Sequence, residues 1–241
     1  MPEPMSQTAD TYRTPDLAAK FRTMWGDAEA ALAEGTYHAD SVPRHGEPRW
    51  GLSLVVPIDG TIREAIAQDL SPIAAALSPH HFTYLPENLH STVRSLEGYQ
   101  GQVPQEQVDH YADLVETALK DCPPIEIELS GLSGSKGGLF VCGVPSAGLV
   151  RLRTRLHEAG AAEGPRAFAS NDYTAMRDIA HVSVAVFQAP VVPEPSIADV
   201  VSARREKRYG TVRPTVLDLV RYDLAGGEIT MSRLAGIGCT G

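Results

Sequence analysis

Two short segments carry side chains able to move protons and hold a phosphate, Leu89-His90-Ser91-Thr92-Val93 and Ala180-His181-Val182-Ser183-Val184, their histidines 91 positions apart. Both read histidine, any residue, Ser or Thr, then an apolar residue. In a strand alternate side chains share a face, so each imidazole points into the same space as the hydroxyl two residues on. Two such pairs on neighbouring strands suit phosphodiester chemistry without a metal. One neutral imidazole takes a proton from water or a ribose hydroxyl, and the other, protonated, donates to the departing oxygen. Thr92 and Ser183 would donate hydrogen bonds to the non-bridging oxygens as charge builds on phosphorus. Spacing does not say which histidine is base and which is acid. Arg94 follows two residues after Thr92, so His90, Thr92 and Arg94 are expected to share a face, with the guanidinium holding the phosphate.

The elements that must position these residues alternate along the chain. Leu17, Phe21, Trp25, Ala28 and Leu32 recur at helical spacing between a Thr14-Pro15 cap and a stop at Gly35. A loop over 35–48 leads to a strand at 50–56 and a helix from Thr61, kinked at Pro72. Strands are expected at 82–85 and 89–96, with a turn at 86–88 between them, and a helix at 105–120. Ile125, Ile127 and Leu129 alternate with Glu126 and Glu128, giving a half-wet strand paired with another at 139–144. A helix at 146–159, stopped by Gly160, precedes a long loop over 161–178 and the strand 179–187. A helix at 195–208 and a hairpin of 215–224 with 228–234 close the chain. The order resembles β-α-β-α-β-β run about twice. It predicts a two-lobed α/β (α+β) domain over 49–241. Residues 1–48 form an N-terminal extension with one helix, read as filling a lobe rather than covering the cleft.

Composition narrows the partners. The 241 residues are 43% hydrophobic with a net charge of −9, which excludes disorder and opposes tracking along duplex DNA. No run of 18 apolar residues predicts a membrane span. Three cysteines without paired spacing suggest no disulfide framework or zinc site, and a cytoplasmic, monomeric protein is expected.

At the two motifs the chain resembles the 2H phosphoesterase superfamily, which includes the RNA 2′,3′-cyclic phosphodiesterases and 2′-5′ RNA ligase-like proteins. The hallmark is a doubled His-x-Thr/Ser-x motif, matched by His90, Thr92, His181 and Ser183. The approach Leu85-Pro86-Glu87-Asn88-Leu89 and the following Val93, Arg94, Leu96 and Gly98 agree as well. Ser91 departs from the apolar residue usual in the family. The resemblance implies a fold whose β-sheets are related by a pseudo-two-fold around a central cleft with helices outside, and catalysis without a cofactor or metal on a 2′,3′-cyclic phosphate, or on a 2′-5′ or 3′-5′ linkage of a nucleotide or short oligonucleotide. Two alternatives stay open: a module that binds a terminal phosphate without turnover, and a biosynthetic enzyme reusing the cleft on another phosphoester.

Lesser signals have plainer readings. Tyr84, Tyr99, Tyr173 and Tyr222 are candidates for stacking a base, although most tyrosines simply pack. His80 and His81 are adjacent; in an extended segment they would diverge and no carboxylate nearby in sequence completes a metal site, so a turn role is expected. Residues 131–138 read as a Gly-rich hairpin turn. Arg204, Arg205, Lys207 and Arg208 form a basic cluster, read as a solvated face at a helix end.

Overall fold

The computed structural model describes residues 16–41, 44–47, 49–163, 177–225 and 228–239. Helix α1 (Leu17–Glu34) is capped by Asp16, whose side chain accepts a hydrogen bond from Ala19 N at 2.9 Å, and it ends at Gly35 with φ 67°. The cap is therefore Asp16; Thr14 and Pro15 lie outside the described residues. Strand β1 (Ser53–Pro57) leads into α2 (Gly60–Ala76), which continues through Pro72. After β2 (Phe82–Thr83) and a 3₁₀ turn (Pro86–Asn88) come β3 (His90–Ser95) and α3 (Gln105–Leu119).

The strands β4 (Ile127–Ser135) and β5 (Gly138–Pro145) absorb most of the Gly-rich segment, leaving only residues 136 and 137 in the turn. Helix α4 (Ala147–Glu163) runs past Gly160, because a single glycine weakens a helix by only about 1 kcal/mol. Strand β6 (Val182–Val186), the short α5 (Ile197–Ser202), β7 (Arg208–Val212), β8 (Val216–Ala225) and β9 (Glu228–Gly238) complete the fold. The sequence reading extended the helix at 195–208 over what is a turn and the start of β7.

The fold is α+β. The strands form one sheet in the order β7-β4-β5-β6-β3-β1-β8-β9, with β2 paired to β6, and every named pairing is antiparallel. Four strands of this path lie on each side of the β3/β6 contact, so the two lobes share a sheet instead of owning one each. That contact is narrow. Its single registered pair is Ser91 with Val182.

The large core contains Leu54, Val56, Ile66, Ile73, Leu149, Leu152 and Leu219, all buried. A second, smaller cluster joins Leu17 and Phe21 of α1 to Phe140 of β5 and Ile179. Phe140 is registered with Ser183, and opposed residues share a face. Helix α1 therefore packs on the face that carries the second motif.

The basic cluster is also corrected. Arg204 Nε and Lys207 Nζ bind the two oxygens of Asp69 at 2.7 and 2.6 Å, and Tyr209 donates to the second at 2.8 Å. Asp69 is buried, and these partners hold its carboxyl below the usual range against the opposing effect of burial. Two of the four cations thus neutralise a carboxylate inside the fold.

Candidate functional site

Strand register brings the four motif residues together. Ser91 of β3 is registered with Val182 of β6, and because the strands are antiparallel this turns His90 toward Ser183 and Thr92 toward His181, which stands one residue before β6 begins. Ser91 and Val182, both buried, occupy the opposite face. Register on β1 agrees, with Pro57, Val56 and Val55 opposite His90, Ser91 and Thr92. The two motifs meet where the two halves of the sheet path join.

His90 is buried at 5% exposure and held at both nitrogens. Its Nδ1 lies 2.8 Å from Asn88 O, and a carbonyl can only accept, so Nδ1 carries the proton. The neutral ring then presents its Nε2 lone pair, which accepts from Tyr222 Oη at 2.8 Å. Burial pushes the Tyr222 phenol up to about 12. Tyr84 packs edge-on against His90 with ring centroids 5.8 Å apart. Burial lowers His90 to about 4 despite the favourable Asn88 carbonyl.

His181 is only partly buried, and its ring packs on Phe140 at 5.1 Å between centroids. Burial first, then the charges of Arg177, Arg153, His90 and Arg49, lower it to about 3. These arginines create a local positive field in an acidic protein. Thr92 and Ser183 are both partly exposed, as phosphate donors must be. Gly143 lets the second motif approach: Ala180, just before His181, donates to Gly143 O at 2.9 Å, and a Cβ on Gly143 would stand 1.8 Å from Ala180 O.

The remaining expected residues fare differently. Arg94 is buried, but the register shifts between Val55 and Leu54, so Thr92 opposes Val55 while Arg94 opposes Leu54. Neighbouring β1 residues leave on opposite faces, so alternation does not carry Arg94 into the space shared by His90 and Thr92. Tyr84 touches His90 as buried packing rather than as an open platform. Tyr99 is partly buried in a loop, its backbone bonded to Glu47 O and Gly46 N. Tyr173 lies outside the described residues.

Tyr222, one of four tyrosines that sequence could not rank, proves to be the one bonded to a histidine of the motifs. Trp50, Arg49 and Arg177 were not singled out. Trp50 stands at φ 62°, rare for a bulky residue, and packs on Tyr222 and Tyr84 at 5.4 and 6.3 Å while Arg49 lies 5.4 Å from its ring. The Trp50-Gly51 step was the available signal, hidden by its reading as the start of a strand.

The adjacent histidines lie at the expected turn. Their rings lie 4.1 Å apart because His80 occupies a turn, and Glu194 joins them with ligand-type atoms all within 4.8 Å. The hydrogen bonds argue against a metal. Gln188 N–H donates to His81 Nδ1 at 3.0 Å, which places the proton on Nε2, facing Glu194 Oε1 and Tyr37 Oη at 3.2 Å each. A neutral His81 so arranged directs no lone pair at the cluster.

All three cysteines are free, and no helix among the described residues is long and apolar enough to cross a membrane. A family model described as the 2′-5′ RNA ligase superfamily matches residues 64–226. No curated protein sequence gives a significant match. Among solved structures, TT0787 of Thermus thermophilus superposes with a TM-score of 0.54 at 18% identity, covering 78% of this chain and 97% of its own. A structure described as a phosphoesterase gives 0.52 at 18%, covering 81% and 100%. E. coli LigT complexed with 3′-AMP gives 0.52 at 18%, covering 80% and 99%.

Proposed function

The chain belongs to the 2′-5′ RNA ligase superfamily, and from that premise we propose that it is a phosphodiesterase that opens a 2′,3′-cyclic phosphate, or cleaves a 2′-5′ or 3′-5′ linkage, in a nucleotide or short oligonucleotide. The observation that supports this reading is the Ser91–Val182 pairing of β3 with β6, which sets the two His-x-Thr/Ser segments side by side; in this reading their imidazoles and hydroxyls face one space. LigT, similar in fold, was solved with 3′-AMP, which supports a nucleotide as the ligand class.

The two histidines have unequal settings, and these suggest their roles. His90 has its tautomer fixed and its Nε2 lone pair directed at a hydroxyl, the state a general base needs. Incoming water replaces or follows the Tyr222 hydroxyl and loses its proton to Nε2 as its oxygen bonds to phosphorus. His181 is the acid. An anionic phosphate beside it stabilises the imidazolium that the arginines disfavour in the free protein, so the substrate brings the acid into its working state. The imidazolium protonates the departing ribose oxygen as the P–O bond breaks. Thr92, Ser183 and the neighbouring guanidinium groups stabilise the charge on the non-bridging oxygens.

Residues 1–48 are an extension on a catalytic core spanning 49–241 in this reading. Through Phe21 and Phe140, α1 reaches the ring of His181 and forms one wall beside it.

Incubation with nucleoside 2′,3′-cyclic phosphates, 2′-5′ oligoadenylates and cyclic dinucleotides in EDTA tests the proposal. Turnover of at least one class in chelator is expected; binding without product would instead favour a phosphate-binding module, and activity lost in EDTA would overturn the metal-free mechanism. Tyr222→Phe should keep the packing and lose the hydrogen bond to His90. That bond occupies the lone pair the base must use and breaks before the proton moves, while Asn88 O still fixes the tautomer, so kcat should hold or rise by up to about tenfold, measured in steady state.

A further inference from the structure

We infer that Arg153, on α4, is a positioning residue for the reaction, its guanidinium acting as the rung that joins the two motif-bearing strands where their own hydrogen bonding stops. The inference rests on the assignment of His90 and His181 as the acid–base pair.

The contact of β3 with β6 has one registered pair, so the backbone beyond it must find other partners. Buried carbonyls left without donors are costly, at about 1 to 3 kcal/mol each. Arg153 is 2% exposed and donates to four carbonyls, two in buried and two in half-buried hydrogen bonds. Its Nε donates to Val93 O at 3.2 Å and Nη2 to Thr92 O at 2.9 Å, both on β3. Its Nη1 donates to Ile179 O at 3.0 Å and Arg177 O at 2.9 Å, on the segment that enters β6. One acceptor is the backbone of the motif residue Thr92, and two others stand two and four residues before His181. The planar fork thus spans the gap between the strands and fixes the separation of the two half-sites from behind.

A lysine could not replace it, because three donors on one atom cannot reach both edges of the gap. A neutral side chain would leave carbonyls orphaned. The positive charge matters too, since Arg153 is among the cations that hold down the proton affinity of His181. The other groups acting on that ring are Arg177, His90 and Arg49, while the adjacent Asp178 is engaged by Lys20 at 2.6 Å.

Two measurements on Arg153→Lys and Arg153→Gln test the inference. In the ligand-free proteins, proton NMR titration of the His181 ring should show its pKa raised in Arg153→Gln by about half a unit or more, with little change in Arg153→Lys, which keeps the charge. With substrate, both variants should lose about 10²-fold in kcat and change KM by less than about threefold, and guanidinium ion added to Arg153→Gln or to the smaller Arg153→Ala should restore part of kcat. Folded variants with wild-type kcat and an unmoved His181 titration would overturn the inference, whatever their thermal stability. A wild-type protein inactive on every phosphodiester would count against the proposed function instead, and the titration would still decide whether Arg153 acts on His181.

Discussion

His181→Asn is expected to lower kcat on the preferred phosphodiester by about 10²- to 10⁴-fold, the range of a lost general acid, and His90→Gln to cost a similar factor. The double variant should be little worse than either single one, because proton removal and proton delivery serve the same displacement and neither is useful alone. His181 is partly exposed and its ring is held by packing on Phe140, so its replacement should leave the fold nearly intact. His90 differs. Its ring bonds Asn88 O and Tyr222 Oη inside the core, and Gln keeps a donor and an acceptor there while removing the titratable group. Circular dichroism and thermal melting alongside the kinetics separate lost chemistry from lost structure. Unchanged kcat in both single variants would remove the assignment.

The second large effect concerns pH. Both imidazoles are neutral in the free protein near neutrality, His90 lowered to about 4 and His181 to about 3 mainly by burial. The working enzyme requires one neutral and one protonated ring, a state that becomes scarcer in the free protein as pH rises above these values. kcat/KM, which reports free enzyme, should therefore fall with rising pH between about 5 and 8, approaching tenfold per unit for one essential proton. In the complex the phosphate anion favours the imidazolium and raises its pKa, so the falling limb of kcat should lie at higher pH than that of kcat/KM. The sign follows from which form each neighbour stabilises: cations and burial favour the neutral ring, and a bound anion favours the charged one. Coincident limbs in the two profiles would show that substrate does not load the acid.

Much of this site was legible because a strand converts spacing into direction. His-x-Thr and His-x-Ser each fix which side chains share a face, and two copies in matched settings suggest that the faces meet. Arg94 shows where the rule stops. Its expected place depended on uninterrupted alternation, and the irregularity opposite Leu54 breaks it. His80 and His81 sit at a turn as expected, and the turn brings their rings together.

Other features depend on distant partners that local pattern does not name. Arg153 sits in an amphipathic helix where a cation normally means solvent, and only the incomplete β3/β6 ladder gives it a buried role. Asp69, Arg204 and Lys207 are likewise widely separated in sequence and joined in space. The paired lobes were foreseen, yet their union in one sheet was not, because periodicity identifies strands and is silent on which strands become neighbours. Helix α1 was found by its apolar stripe. Its place beside His181 depends on Phe140, whose position on the motif face required the register with Ser183.

The most direct test is a crystal structure of the wild-type protein with a nucleoside 3′-monophosphate. The account predicts the phosphate at the β3/β6 junction, between the imidazoles of His90 and His181, with Thr92 and Ser183 hydroxyls within hydrogen-bond distance of its oxygens. A phosphate bound elsewhere, or the two rings turned to opposite faces of the sheet, would contradict it.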